Sequence, residues 1–342
     1  MKINIFQWRY SSFLILIALW LPTHSAQAAI TCTASMTDVN LGSISSANSG
    51  SSTITGTLSY ECKSTYAAPR YVSICLGVDG GSYGSNVVAP RYMSTTGSST
   101  PSTPRLAFTM TLPGPVLWGT HAGAGSEYKD KKQNLAYRSI SGSVPIKVSL
   151  VPSSDNNLAT PGTYINSFGL TELAFDVGTP YGDGSLVDCT GADRTINKFP
   201  FKVEATVIAS CEITTKSEVN LGSKSADTIN IEGVKTNAIG VTCTNGAPYK
   251  IGLSPSNGNT AGSGAMKGSV GNSDEVPYQL RSAAGMSGAI LGNNGSTVAT
   301  LTNGVTGTGN GLEQLRNVYA TVPSADFKPD NYSDKVTINV YY

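Results

Sequence analysis

The chain has 342 residues, with 23 Lys and Arg against 22 Asp and Glu, and a formal net charge of +1. This balance offers no basic excess to neutralise phosphates, so we expect no nucleic-acid partner. Hydrophobic residues make up 39%, which together with the low net charge argues against a disordered chain. The 37 Gly and 17 Pro indicate many turns between short strands.

The first 28 residues have the pattern of a secretory signal peptide. Lys2 and Arg9 give a positive start, an apolar run follows over residues 12–21, and Ala26 to Ala28 supply a small-residue cleavage site. A membrane anchor is the alternative, but the run is far shorter than the ~20 residues that a spanning helix needs. We therefore expect residues 1–28 to be removed and the rest to work outside the cytoplasm.

Six cysteines follow this segment: Cys32, Cys62, Cys75, Cys189, Cys211 and Cys243. An even number of cysteines in an exported protein favours disulfides. No C-x-x-C pair is present, and His121 is the only histidine beyond the signal segment. We expect neither a metal site nor a cofactor.

The sequence contains an internal repeat of two similar units. Residues 38–43 (DVNLGS) follow Cys32, and residues 218–223 (EVNLGS) follow Cys211. Later, residues 161–164 (PGTY) match residues 329–332 (PDNY). The duplication predicts two domains of similar fold. We place the first at 29–195, with a closing strand that can extend to 205, and the second at 196–342.

The duplication also suggests which cysteines are bonded to each other. Cys32–Cys62 and Cys211–Cys243 hold equivalent positions in the two units, which leaves Cys75–Cys189 by elimination. Six cysteines allow 15 pairings, so other connectivities stay open.

Alternation of apolar and polar residues predicts strands in both units. The clearest cases are residues 143–151, 170–177, 198–208 and 335–341, separated by clusters of Gly, Asn, Ser and Pro. Only residues 310–320 favour a short helix. Many short strands with regular turn signals predict an all-β chain of two β-sandwiches.

The two units end differently. After the strand at 170–177, the first unit has a further alternating strand, whose apolar residues are Phe199, Phe201, Val203, Ala205 and Val207. The second unit ends at Tyr342 without a counterpart. We therefore expect the second unit to keep an open edge that a strand from another chain completes, with the groove edge at Val336, Ile338, Val340 and Tyr342. The alternative is that the first and last strands of the second unit pair with each other.

The order of these features resembles a known family. The paired C…VNLG…C segments, the passage 201–211 (FKVEATVIASC) and the closing residues 329–340 (PDNYSDKVTINV) resemble spore coat protein U domains. The whole arrangement, from about residue 30 to 342, resembles the two-domain tip adhesins of Csu-type archaic chaperone–usher pili. Residues 116–119 (VLWG) resemble the Trp–Gly passage of the family, which the second domain lacks.

The resemblance implies two tandem immunoglobulin-like domains of the pilin type, the second without its last strand. It implies export through the periplasm with a pilus chaperone, passage through an outer-membrane usher, and a place at the pilus tip on the cell surface. The second domain then receives the N-terminal donor strand of the adjacent subunit. The resemblance also implies that the first domain attaches to abiotic, hydrophobic surfaces and initiates biofilm.

Such an adhesin needs exposed apolar side chains on loops, since removing apolar area from water gains roughly 25 cal/mol per Å². Three segments of the first unit qualify. Their candidate surface-binding residues are Val87, Val88, Ala89, Pro90, Pro113, Pro115, Val116, Leu117, Trp118, Pro180 and Tyr181. The alternative is that these side chains fold inward, Trp118 above all.

Two other classes of function remain as alternatives. A sugar-binding tip would use Tyr66, Tyr71, Tyr83, Tyr92 and Asp79, and a plain structural pilus or coat subunit would need no binding site. Residues 80–84 (GGSYG) match the G-x-S-x-G motif of hydrolases, but no helix is predicted after them. We expect the protein not to be an enzyme.

Overall fold

The computed structural model of the chain describes residues 29–45, 48–83, 88–95, 104–120, 125–169, 172–178 and 195–342. The N-terminal strands are β1 (Ile30–Met36), β2 (Val39–Ile44), β3 (Thr53–Ser64), β4 (Arg70–Gly77), β5 (Arg91–Ser94), β6 (Arg105–Leu112), β7 (Val116–Leu117), β8 (Tyr128–Leu135), β9 (Ser139–Leu150), β10 (Gly162–Phe168), β11 (Glu172–Gly178), β12 (Thr195–Lys198) and β13 (Phe201–Val207). The C-terminal strands are β14 (Cys211–Thr215), β15 (Ile229–Cys243), β16 (Pro248–Ser254), β17 (Ser263–Lys267), β18 (Glu275–Arg281), β19 (Val305–Thr308), β20 (Glu313–Ser324) and β21 (Thr337–Tyr341). A 3₁₀ turn at Gly81–Tyr83 and a one-turn helix, α1, at Ser154–Asn157 complete the described elements.

Strands β1 to β13 form the first unit, which has two sheets. The larger has the order β1-β3-β9-β6-β5-β10-β13-β2, with β7 attached to β6, and the smaller has the order β12-β11-β4-β8. Apolar side chains from both sheets form one continuous core, which includes Phe108, Tyr164 and Val203. The first unit is therefore a β-sandwich.

Two consecutive strands, β12 and β13, close this unit. β12 pairs antiparallel with β11, and β13 pairs antiparallel with β10 and parallel with β2. The inward residues of β13 are buried at every second position, as its alternating sequence predicts. The closing strand of the first unit, which we expected to extend as far as 205, runs to Val207, and residues 208–210 alone separate it from β14.

Strands β14 to β21 form the second unit, also with two sheets. Their orders are β14-β15-β20-β18-β17 and β19-β16-β21. β14 and β21 lie in different sheets, so the alternative in which the first and last strands pair with each other is wrong. The fold is all-β: two tandem immunoglobulin-like β-sandwiches, of which the second, described throughout, has no counterpart of β12 and β13.

The short helix expected at 310–320 is wrong, because residues 313–320 belong to β20 and residues 310–312 form no helix. β20 pairs with β15 on one side and with β18 on the other. Val318, Ala320 and Val322 are buried on the core side, a period of two that the helical interpretation missed. Pairing on both sides outweighs a weak local preference.

The disulfides of the two units are equivalent. Cys32 bonds Cys62 between β1 and β3, and Cys211 bonds Cys243 between β14 and β15. In both units the two cysteines face each other in the strand register. Cys75 is also disulfide-bonded, and Cys189 lies outside the described residues.

Candidate functional site

An apolar hairpin projects from the large sheet of the first unit. We call residues 112–117, the junction of β6 and β7, the apolar hairpin; Leu112 pairs with Val116 across it. At its turn, Gly114 has φ +81°, and no atom lies within 4 Å of where a Cβ would be. The turn thus needs a glycine for its backbone and is surrounded by solvent.

The exposed part of this hairpin is apolar. Pro113 and Pro115 are exposed, Val116 is 42% exposed and Leu117 is half-buried. The ring of Pro113 restricts the backbone at the turn and so reduces the ordering cost of a contact. The hairpin therefore offers a stiff apolar surface.

The loop before β5 reaches the same end of the sandwich. Ala89 is exposed and Pro90 is half-buried, and they lead into β5, which runs antiparallel to β6 with Arg91 opposite Phe108. The end of β6, where the hairpin begins, is thus level with the start of β5. Two of the three predicted surface segments lie together.

This end is opposite to the junction with the second unit. Ser94, at the end of β5, pairs with Ile165 of β10, and Phe168 at the end of β10 pairs with Phe201. The beginning of β13 is therefore close to the hairpin, and its other end at Val207 leads into the second unit. The hairpin is placed at the free end of the first unit.

Two of the predicted surface residues are wrong, because Trp118 and Val88 are buried at 0% and 3% exposure. The Trp118 ring stacks near Phe199 and Phe201, and its Nε1 donates to the Leu76 carbonyl at 2.8 Å. The pairing of Leu112 with Val116 places Trp118 on the same face as the buried Met110 and Leu112, so its ring enters the core. Val116 lies on this face too, but at the turn, where it is 42% exposed. Trp118 anchors the hairpin from below.

The exposure of three further predicted surface residues is not described by the structure. Val87, Pro180 and Tyr181 lie outside the described residues. The candidate surface therefore consists of Ala89, Pro90, Pro113, Pro115, Val116 and Leu117.

A second candidate site is the open side of the second unit. In the first unit, β13 covers β2, and Val39 and Leu41 are buried at 2% and 7% exposure. The matching Val219 and Leu221 lie in residues 216–225, which form no strand, and both are half-buried. We call the missing position, between residues 218–223 and residues 329–341, the open slot.

The segment at 218–223 keeps its local shape without a partner strand. Gly222 N donates to Asn220 Oδ1 at 2.7 Å, as Gly42 N donates to Asn40 Oδ1 at 2.7 Å in the first unit. Both glycines have positive φ. The slot differs from its counterpart by the missing strand and not by its local turn.

Apolar side chains line the open slot without being covered. Of the predicted edge residues, Val336, Ile338 and Val340 are half-buried and Tyr342 is 56% exposed. Phe327 and Tyr332 are half-buried as well. β21 pairs with β16 on one side, so its other edge, in this fully described unit, is free for a further strand.

Side-chain hydrogen bonds fix residues 329–334, which form one wall of the open slot. In the first unit, backbone hydrogen bonds between β10 and β13 hold the matching segment. Asp330 Oδ2 accepts hydrogen bonds from Asn272 Nδ2 and from the N and Oγ of Ser269, all at 2.8 Å. These bonds hold the pKa of Asp330 well below its usual value. Tyr278 donates to Asp334, and burial together with this bond raises the pKa of Tyr278. Side-chain bonds thus fix the wall, and the sequence alone gave no sign of them.

Residues 197–339 match the model of the Spore Coat Protein U domain. This part of the chain is therefore similar to Spore Coat Protein U domains. The match begins ahead of β13, so the sequence of this domain includes the strand that closes the first unit. Its remainder is the second unit with the open slot.

Solved structures of similar fold include bacterial adhesins. A chain of the CsuC–CsuE chaperone–tip adhesion subunit complex from Csu pili of Acinetobacter baumannii aligns at 14% identity and TM-score 0.48, over 91% of this chain and 100% of that one. The CupB6 tip adhesin of Pseudomonas aeruginosa aligns at 12% identity and TM-score 0.30, over 91% and 95%. CfaE of CFA/I fimbriae from enterotoxigenic Escherichia coli aligns at 11% and 0.32, over 89% and 92%. No curated protein matches the chain.

Other kinds of site find little support in the described residues. No cluster of three or more His, Cys, Asp or Glu there could hold a metal ion, and no helix there is long and apolar enough to cross a membrane. Ser82, of the G-x-S-x-G match, donates its hydroxyl to the Ser167 carbonyl at 3.2 Å, a contact that does not activate a nucleophile.

Proposed function

We propose that this chain is the tip adhesin of a chaperone–usher pilus. Its first unit attaches bacteria to hydrophobic, abiotic surfaces and initiates biofilm. Its Spore Coat Protein U domain anchors it to the next subunit. The observation that carries the proposal is the stiff apolar hairpin at the free end of a closed sandwich, opposite a unit with an open slot.

Attachment by the hairpin needs no specific geometry in the partner. Val116 and Leu117 with the neighbouring prolines present apolar area to solvent, and covering such area stabilises contact with any apolar surface. A polar surface keeps its water and gives no such gain. The hairpin is thus suited to plastics and similar materials.

Anchoring uses the open slot of the second unit. A donor strand from the adjacent subunit would pair with the free edge at 329–341 and cover the half-buried side chains around Val219 and Tyr332. A periplasmic chaperone would shield the same edge before assembly at the outer-membrane usher. The protein would then stand at the tip, at the cell surface.

The test is binding of the purified chain to polystyrene. We expect the double variant Val116→Ser, Leu117→Ser to lose about ten-fold in binding, since roughly 1–2 kcal/mol of apolar contact is removed. Val270→Ser is the matched control, because Val270 is fully exposed, at 107%, but lies on the second unit. Equal binding by the hairpin variant and the wild type would reject this surface.

Three of the residues that the sugar-binding alternative would use, Asp79, Tyr66 and Tyr92, are engaged within the first unit. Asp79 is buried at 6% exposure, so it is not available to a sugar. Guanidinium groups of Arg70 and Arg105 lie over the rings of Tyr66 and Tyr92, at 4.8 and 4.1 Å from the ring centres. Competition by a defined free glycan in the polystyrene assay would restore this alternative.

A further inference from the structure

A buried arginine lies beneath the apolar hairpin. Arg91 opens β5 and is 0% exposed. Its Nε donates to the Asp79 carbonyl at 2.8 Å and its Nη1 to the Val88 carbonyl at 3.1 Å. Its Nη2 donates to the carbonyls of Val78 at 3.1 Å and Trp118 at 2.6 Å.

These four carbonyls come from three parts of the chain. Val78 and Asp79 follow β4, Val88 is in the loop before β5, and Trp118 directly follows the apolar hairpin. A planar guanidinium presents its donors in a rigid fork. One side chain thus bonds three loops that are distant in sequence and meet at the free end of the first unit.

Placing a charge here is expensive. Removing a guanidinium from water costs several kcal/mol, and burial lowers the pKa of Arg91 to about 9, against the opposing effect of Asp79. A buried apolar residue would avoid this cost but would leave four carbonyls without these donors. The arginine therefore serves to fix the relative positions of the three loops through its guanidinium donors.

We propose that Arg91 is a positioning residue of the adhesive end, which holds the apolar hairpin and the loop before β5 in one fixed arrangement. The proposal rests on the proposed function of the hairpin. A surface whose parts are already ordered binds without the cost of ordering them. Arg91 does not touch the target surface itself and acts through Trp118 and Val88.

The test compares full-chain variants by amide hydrogen exchange and by polystyrene binding. Arg91→Met keeps the length of the side chain without its donors. The matched control is Arg281→Met on the second unit, where Arg281 Nε donates to Thr321 Oγ1 at 2.9 Å. Exchange is followed at three amides beside the arginine and at Leu58 in β3. The three are Val78, which donates to the Gly119 carbonyl, Trp118, which donates to the Met110 carbonyl, and Gly119, which donates to the Ser126 carbonyl.

We expect Arg91→Met to accelerate exchange at the three loop amides by about ten-fold or more relative to Leu58, because at least one net hydrogen bond's stabilisation is lost. Binding to polystyrene should fall by about the same factor. Arg91→Lys keeps the charge but not the fork, so it should give a smaller change of the same kind. Should Arg91→Met fail to fold, Arg91→Lys carries the comparison.

Two results would overturn the proposal. Equal acceleration at Leu58 and at the loop amides would make Arg91 a residue of general stability only. Faster exchange confined to the loops with unchanged binding would show that their arrangement does not matter for attachment. If the wild type itself does not bind polystyrene, the proposed function fails, and loop-confined exchange still decides whether Arg91 fixes the loops.

Discussion

The two units start from the same sequence pattern and differ in how completely they bury it. Among the described residues, the core of the first unit has 32 buried side chains and only four half-buried ones packed against it. The second unit has 14 buried and 12 half-buried. The V-N-L-G-S segment of the first unit pairs with β13. The same segment of the second unit, which is described throughout, has no partner strand. The presence or absence of one strand therefore determines how completely the core of each sandwich is buried.

The largest effect should follow from damaging that strand. Val203 of β13 is fully buried, opposite Val39 and Asn166, so Val203→Asp places an unpaired charge in the core. We expect the first unit to lose about 3–5 kcal/mol of unfolding free energy, measured by urea unfolding. No residue of the second unit matches Val203, so the comparison is Val219→Asp, at the position equivalent to Val39; its side chain is half-buried, and the change should cost much less. Similar losses would mean that the two units are not closed differently.

Removal of the disulfides should give the next largest difference in stability between the two units. A bridge closing a loop of about 30 residues stabilises by roughly 2–4 kcal/mol, and the separations in sequence are 30 for Cys32–Cys62 and 32 for Cys211–Cys243. We expect paired Cys→Ala changes at 211 and 243 to unfold the second unit at room temperature, because it has less buried area to compensate. The same changes at 32 and 62 should leave the first unit folded. Circular dichroism and proteolysis distinguish these outcomes, and loss of the first unit alone would contradict them.

A peptide with the sequence of residues 197–208 should supply the strand that the second unit lacks. The slot repeats the walls that hold β13, so we expect the peptide to bind the second unit of the full chain and raise its melting temperature. At a hundred-fold excess over Kd the gain is about 2.7 kcal/mol. The melting of the first unit should not change.

The control for this experiment is the same peptide with Asp in place of Val203, which breaks the apolar alternation. Equal stabilisation by both peptides would show non-specific binding. No stabilisation by the native peptide would show that the slot requires a strand of different shape.

The smallest effect concerns acid. Hydrogen bonds from Asn272 and Ser269 lower the pKa of Asp330, so the stabilisation they give is present above the unfolded value of about 3.9 and is lost as pH falls toward the lower folded value. Asp330→Asn should therefore make the urea midpoint of the second unit less dependent on pH below about 4. The exposed Asp326→Asn is the control. An unchanged pH slope in Asp330→Asn would exclude this contribution.

Much of this architecture could be predicted from alternation and repetition. The strand at 198–208 shows its inward residues directly, and the repeat points to the two bridges that the structure contains. Trp118 could not be assigned in this way, because its direction depends on the pairing of Leu112 with Val116 across a turn rich in Pro and Gly. Arg91 left no signal at all, since a single arginine after a proline acquires its four partners only when three loops meet.

The position of β13 has a mechanical consequence. Its start lies near the apolar hairpin and its end leads within three residues to β14, where Cys211 is bonded to Cys243. If the hairpin attaches to a surface as proposed, a pull between that surface and the second unit runs along the axis of this strand, which forms seven residue pairs with β10. Inter-strand bonds perpendicular to the load share it and do not open one after another, so in the proposed role the first unit would withstand drag from flowing liquid.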